Sequence, residues 1–210
     1  MVSKHQITLE SKGDKSTDAP GKLKLIEALK YLLDSKDFNS ITTAEIAKTA
    51  GTNEALIYFH FQDKRDLLHQ VLKEYLEEHQ TLIDAELKKI NGAREKLKKL
   101  IWLSFDTWNK NRTYAKIILI EVRSFSGYFE SESYLIVRNY SKKICDILEE
   151  GIANGEIRGD IPIGILRSII VGAIEHYVLP AIIFNRKLVP KECAEHLYKL
   201  LLEGVLAQNE

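Results

Sequence analysis

The sequence predicts an all-α chain of about nine helices: an N-terminal three-helix unit built on a helix-turn-helix, then a larger C-terminal helical bundle. Three observations predict it. Only four prolines and eleven glycines interrupt 210 residues, and Leu, Ile, Lys and Glu abound. Apolar residues recur at three- and four-residue spacing over long stretches, the period of a helix with one buried face. No stretch alternates apolar and polar residues between hairpin turns, as half-buried strands do.

Composition narrows the class further. The length corresponds to between one and two domains at ~150 residues each. Thirty basic and thirty acidic residues cancel, which excludes a polybasic coat or an acidic solvating tail. A 45% hydrophobic and 29% charged chain is that of a folded globular protein. Cys145 and Cys193 are far apart and lack any CxxC or Cys/His spacing. No disulfide framework, structural zinc or cofactor is expected, and a reducing cytoplasmic interior fits.

Residues 1–19 are polar, with cancelling charges and no apolar core of a signal peptide, and read as a disordered leader. Helices follow at about 20–35, with Leu25, Leu29 and Leu32 on one stripe, then at 43–50 and 54–60. A long helix over about 64–89 carries Leu68, Leu72, Leu76 and Ile83, and Asn91-Gly92 ends it. Five more are expected near 93–109, 112–124, 131–154, 162–186 and 190–207. The stretch Ile161–Phe184 is apolar, yet it contains Arg167, Glu175, His176 and Pro180. A charge at mid-membrane costs ~2.5–3.5 kcal/mol, so a helix buried against protein is expected, with no membrane partner. The boundary between the units is placed at residue 65: 20–65 and 66–210.

Residues 41–68 read ITTAEIAKTAGTNEALIYFHFQDKRDLL. Thr42-x-x-Glu45 has the form of a capping box. Gly51 supplies a sharp turn, and Asn53 can cap a second short helix whose amides suit a phosphate. Asp63 can cap the next. Two short helices crossing at a glycine turn form a helix-turn-helix. A capped helical hairpin of another kind is the plainer alternative on pattern alone.

The segment resembles the signature of the tetracycline-repressor (TetR) family of bacterial regulators, T-x-x-x-I-A-x-x-A-G-V-S-x-x-T-L-Y-x-x-F-x-x-K-x-x-L. Thr42, Ile46, Ala47, Ala50, Gly51, Tyr58, Phe61, Lys64 and Leu67 match it. Thr52, Asn53, Leu56 and Ile57 depart from it, and Leu56 lacks the hydroxyl the resemblance would put near DNA. The resemblance implies a homodimeric repressor of a pseudo-palindromic double-stranded operator. Its DNA-binding residues would be Thr42, Thr43, Thr52, Asn53, Glu54, Ala55, Tyr58, His60 and Lys64. Glu54 reads either as a first-turn carboxylate on the helix dipole or as an acceptor for cytosine. Residues 20–65 carry seven basic and six acidic groups. Phosphate attraction must therefore come from the placement of Lys48, Lys64 and helix N-termini, not from bulk charge.

The C-terminal unit would hold an effector pocket and a dimer face. Trp102, Phe105 and Trp108 recur at three-residue spacing, and Ile117, Ile120, Glu121, Arg123 and Phe125 follow. These eight are the candidate pocket residues, with a structural ion pair the plainer reading of the two charges. The dimer face implied by the resemblance is Ile170, Ile174, Tyr177, Leu197, Leu201 and Val205. The segment from Glu121 through Glu156 is further similar to TetR-type regulators of fatty-acid degradation. These show an E-L-R-x-S stretch where this chain has Glu121-Val122-Arg123-Ser124-Phe125, followed by L-x-x-G-I-x-x-G-E-I, here Leu148–Ile157. That similarity implies release from DNA by long-chain acyl-coenzyme A. A multidrug-type repressor taking aromatic cations, and an interaction module with weak DNA affinity, are the alternatives. No catalytic triad, metal set or glycine-rich phosphate loop supports an enzyme.

Overall fold

The computed structural model describes the backbone of residues 18–205 and the side chains of residues 20–201. The helices are α1 (Asp18–Leu33), α2 (Thr43–Ala50), α3 (Ala55–His60), α4 (Lys64–Leu87), α5 (Ala93–Lys110), α6 (Arg112–Lys116), α7 (Glu132–Ala153), α8 (Ile163–Ile183) and α9 (Pro190–Val205). No strand occurs among the described residues. The expected leader lies outside them, apart from Asp18 and Ala19, which open α1. The described residues fall into two compact units divided between Leu67 and Leu68.

In the first unit, α1 packs on α2 and α3. Its core is Leu25, Ile26, Leu29, Ile41, Ile46, Ile57 and Phe61, all buried. Removing such side chains from water stabilises by roughly 1.5–3 kcal/mol each. A 3₁₀ turn at Phe38–Ser40 joins α1 to α2 and buries Phe38.

In the second unit, α5 packs against α7, α8 and α9. Leu97, Leu100, Ile101 and Phe105 of α5 meet Ile144 and Leu148 of α7 in one core. To that core α8 adds Leu166, Ile170, Ile174 and Val178, one residue per turn, and α9 adds Leu197 and Leu201. The expected dimer face therefore needs correcting. Ile170 and Ile174 are each 2% exposed, and Leu197 and Leu201 are buried too. These four apolar side chains are used inside one chain. Tyr177 does face outward, while the side chain of Val205 lies outside the described residues.

By length and composition α8 could cross a membrane. It instead turns its buried stripe into this core and leaves Ile165, Ile169 and Tyr177 exposed on another side. Pro180 sits in its last turn, so the missing N–H removes a single helical bond. Arg112 closes the end of α8, donating to the Ala181 and Arg186 carbonyls at 3.1 and 2.9 Å and to Asn185 Oδ1 at 3.0 Å. A cation there also suits the helix dipole.

The Leu148–Ile157 motif has a structural role. Glu156 accepts from the Ala93 and Arg94 amides at 3.3 and 3.0 Å, capping α5 from the loop after α7. Those amide bonds hold its carboxyl below the usual range. Gly151 is required by contact: a Cβ there would lie 2.5 Å from Ile157 Cδ1 and 3.0 Å from Ala93 Cβ.

Candidate functional site

Local chemistry shapes the helix-turn-helix. Thr42 Oγ1 accepts from the Glu45 amide at 3.1 Å and starts α2. The Glu45 carboxylate does not complete a capping box; it pairs with Lys36. Gly51 ends α2 at φ 66°, where a side chain would be strained. Asn53 Oδ1 then accepts from the Leu56 amide at 3.1 Å, and Asp63 Oδ1 accepts from the Arg65 and Asp66 amides at 2.7 and 2.8 Å. Each expected cap is present, and the two short helices are fixed at their starts.

The outward face of α2–α3 carries Thr42, Asn53, Glu54, Ala55, Tyr58 and Phe59, with Tyr58 60% and Phe59 66% exposed. Thr43 and Thr52 are half-buried. Thr43 Oγ1 donates to Glu54 Oε2 at 2.7 Å, so Glu54 ties α2 to the start of α3, a role neither reading of it anticipated. Phe59 was not among the candidates: an aromatic beside Tyr58 and Phe61 reads as core. Lys48 is exposed at the end of α2.

Two candidates fall away from this face. Lys64 Nζ donates to the Phe38 and Ile41 carbonyls at 2.8 and 2.6 Å and lies 4.2 Å from the Phe38 ring centre. Its charge closes the 3₁₀ turn, so it is a structural clamp and not a phosphate contact. His60 is half-buried, its Nε2 3.5 Å from where a Cβ on Gly21 would sit. Leu56 packs at the same place, 3.1 Å from that position; the departure from the family signature serves packing against α1.

The second unit contains a cavity of about 50 Å³ between α4, α5, α6, α7 and α8. That is room for a few waters, so an effector enters only as lining side chains move. Leu76, Ile118, Ile136, Val137, Val171 and Ile174 make its apolar wall. His79, Gln80, Ser104, Trp108, Tyr114, Tyr140 and Ser141 give it polar groups, and Arg123 and Glu175 complete it. Arg123 is the one basic residue besides His79 in this lining.

Arg123 grips Glu175 with both guanidinium nitrogens, Nη1 to Oε2 at 2.8 Å and Nη2 to Oε1 at 2.6 Å. This hydrogen bonding raises the Arg123 pKa further. The same two side chains line a second, outer cavity of about 200 Å³ with Leu119, Gly172, His176 and Leu179. The ion pair is thus the shared wall of an inner and an outer space. Arg123 is aimed by backbone geometry: Ile117–Glu121 winds as a π segment, in which the Val122 amide donates to the Ile117 carbonyl at 3.1 Å. Arg123 Nε takes the Ile118 carbonyl at 2.9 Å. Such widened turns recur at functional positions.

Only Trp108 and Arg123 of the eight candidate pocket residues line the inner cavity. Trp102 and Trp108 are six residues apart, about 240° around the helix, and so face different sides. Trp102 lies under Lys99, 4.7 Å from its ammonium, in a surface groove by α9. Phe105 and Ile117 are fully buried in the core, while Ile120 and Phe125 are exposed. Glu121 lies outside the lining. The π segment shifts the register, so Ile118 takes the place expected of Ile117. His79, Ser104 and Tyr140 were missed. One signal pointed to His79: it falls at the buried spacing of α4, after Leu72 and Leu76 and before Ile83.

A helix-turn-helix followed in the same chain by a helical bundle with an internal cavity is the architecture of a DNA-binding regulator with a separate C-terminal domain. The family comparisons agree. Residues 25–71 match the model for bacterial regulatory proteins of the tetR family, and residues 68–204 match that for the C-terminal region of YsiA-like proteins. The chain belongs to the TetR family. It is similar to the fatty acid metabolism regulator protein of Bacillus subtilis, 24% identical over 89% of this chain and 96% of the relative. Among solved structures, FadR from Bacillus subtilis in complex with stearoyl-CoA superposes with a TM-score of 0.79, at 24% identity over 87% of this chain and 98% of that one. The fatty acid degradation regulator FadR from Bacillus halodurans gives 0.77 at 20% identity, over 92% and 97%.

Proposed function

We propose that this protein is a cytoplasmic, homodimeric repressor whose effector is a long-chain acyl-coenzyme A. In this reading residues 20–65 are the DNA-binding head and residues 66–210 the effector and dimerisation domain. The observation that carries it is the inner cavity: largely apolar walls beside a single arginine held by a carboxylate. An acyl chain in the cavity gains about 0.8 kcal/mol per buried CH₂. Arg123, whose planar fork suits phosphate as well as carboxylate, is placed to exchange Glu175 for the coenzyme's phosphates. The stearoyl-CoA complex of the similar FadR supports the same ligand class.

The head reads a pseudo-palindromic operator through Thr42, Asn53, Ala55 and Tyr58, with Thr43, Thr52 and Glu54 positioning the two helices, Phe59 adding an apolar contact and Lys48 a phosphate contact. The dimer forms through the outward face of α8 and α9, where Ile165, Ile169, Tyr177 and Leu200 are exposed. An effector alters DNA affinity only as far as it discriminates between the two states.

Mobility shift on the protein's own promoter, with and without stearoyl-CoA, tests the reading together with tryptophan fluorescence. Stearoyl-CoA should release the DNA and change the fluorescence. Trp108→Phe should abolish the fluorescence change and Trp102→Phe should keep it, because only Trp108 lines the cavity. A response to aromatic cations with none to acyl-coenzyme A would transfer the assignment to a drug-type repressor.

A further inference from the structure

One end of the cavity is more polar than a saturated hydrocarbon chain requires. His79 of α4 is 8% exposed, and its Nδ1 is buried without a hydrogen-bond partner among the described residues. Across from it, Tyr140 of α7 has its ring centre 6.2 Å from that of His79.

The direction of the hydrogen bonds around Tyr140 follows from counting hydrogens. Ser104 Oγ donates its one hydrogen to the Leu100 carbonyl at 2.9 Å. In its 2.7 Å contact with Tyr140 Oη, Ser104 is then the acceptor and Tyr140 the donor. The phenol oxygen keeps its accepting capacity toward the cavity. Two buried nitrogens in this lining, His79 Nδ1 and Trp108 Nε1, have no hydrogen-bond partner among the described residues, and Tyr140 Oη, already donating to Ser104, keeps a free acceptor lone pair.

A methylene chain leaves His79 Nδ1 and Trp108 Nε1 unmet, and buried unmet polar groups weaken binding substantially. A carbonyl on the ligand could accept from these N–H groups but offers the Tyr140 lone pair nothing. A hydroxyl can do both, accepting from His79 Nδ1–H and donating to Tyr140 Oη. We propose that the preferred effector is a fatty acyl chain bearing a hydroxyl group, which His79 and Tyr140 read together. The proposal rests on the acyl-coenzyme A reading above and names the subclass of ligand within it.

Calorimetric titration of the full chain tests it, with stearoyl-CoA compared against hydroxystearoyl-CoA isomers carrying the hydroxyl near the thioester, at mid-chain and at the terminus. One isomer should bind at least about tenfold tighter than stearoyl-CoA, the range expected where a site hydrogen-bonds a ligand hydroxyl. Tyr140→Phe, which keeps the ring and its packing, and His79→Leu should each bring the ratio of hydroxystearoyl-CoA to stearoyl-CoA affinity back to about one, the ratio being read within each variant. If stearoyl-CoA equals or exceeds every isomer, the hydroxyl proposal is wrong and the acyl reading survives. A preference that persists in both variants overturns the assignment to these two residues. If no acyl-coenzyme A binds at all, both the proposal and the reading beneath it fall.

Discussion

Arg123 and Glu175, 52 residues apart in sequence, meet through two parallel hydrogen bonds and form the wall between two cavities. In the proposed function the carboxylate competes with the effector's phosphates for the same guanidinium. Glu175→Gln should therefore tighten acyl-coenzyme A binding about three- to tenfold, and Arg123→Ala should weaken it by a similar factor. Both are measured by titration at constant ionic strength. Opposite signs are the diagnostic; two variants that weaken binding alike would make the pair a purely structural tie.

Lys64 and Lys48 separate a clamp from a phosphate contact. Lys64→Ala removes two charge-assisted bonds to backbone carbonyls, so thermal unfolding of the first unit should lose about 2–3 kcal/mol. Lys48→Ala should leave melting unchanged and lower the salt slope of operator binding by about 1. An unchanged melting curve for Lys64→Ala would contradict the clamp.

Neighbouring leucines give the dimer face its test. Leu200 is 72% exposed and Leu201 8%. Leu200→Glu should yield folded monomers by sedimentation, with loss of tight operator binding, since two half-sites need two rigidly held heads. Leu201→Glu buries a charge in the core and should unfold the second unit instead. A Leu200→Glu protein that remains fully dimeric would remove this face from the interface.

His79 makes stability depend on pH. Burial lowers its pKa from 6.5 to about 4, with Lys143 adding to the effect; Tyr114 and Tyr140, the rings beside it, stay neutral. The folded state therefore favours the uncharged imidazole. Its contribution is fully present above pH 6.5 and is lost as pH falls from there through about 4. The loss is roughly 3 kcal/mol at 1.36 kcal/mol per pKa unit. Denaturant melts between pH 7 and 4 should show this slope in the wild type and a shallower one in His79→Leu.

What was legible in the sequence depended on how local the cause was. The glycine turn at Gly51 and the caps at Thr42, Asn53 and Asp63 are set by residues within four positions of each other, and each forms as the sequence implies. The roles of Lys64 and Glu156 were not legible, because their partners lie 23 to 26 and 62 to 63 residues away. Periodicity located the helices well but not their faces. Ile170 and Ile174 have the spacing of an apolar stripe, and spacing alone does not say whether the chain itself or a second copy covers it. The expected helix over 112–124 failed for a different reason: α6 ends at Lys116 and the backbone widens through Glu121, a change no residue type announces.

That widening has a geometric consequence. A π turn holds one residue more than the α turn it replaces, so the stretch before Arg123 is a one-residue surplus kept in the winding. Rewinding Ile117–Glu121 as α-helix would swing every following side chain by about 100° and advance it by about 1.5 Å. Arg123 would then leave Glu175 without any hinge, loop or domain motion. The deletion of one residue within this segment has the opposite effect: it removes the surplus, so an α winding keeps Arg123 against Glu175 and the wall between the two cavities stays closed.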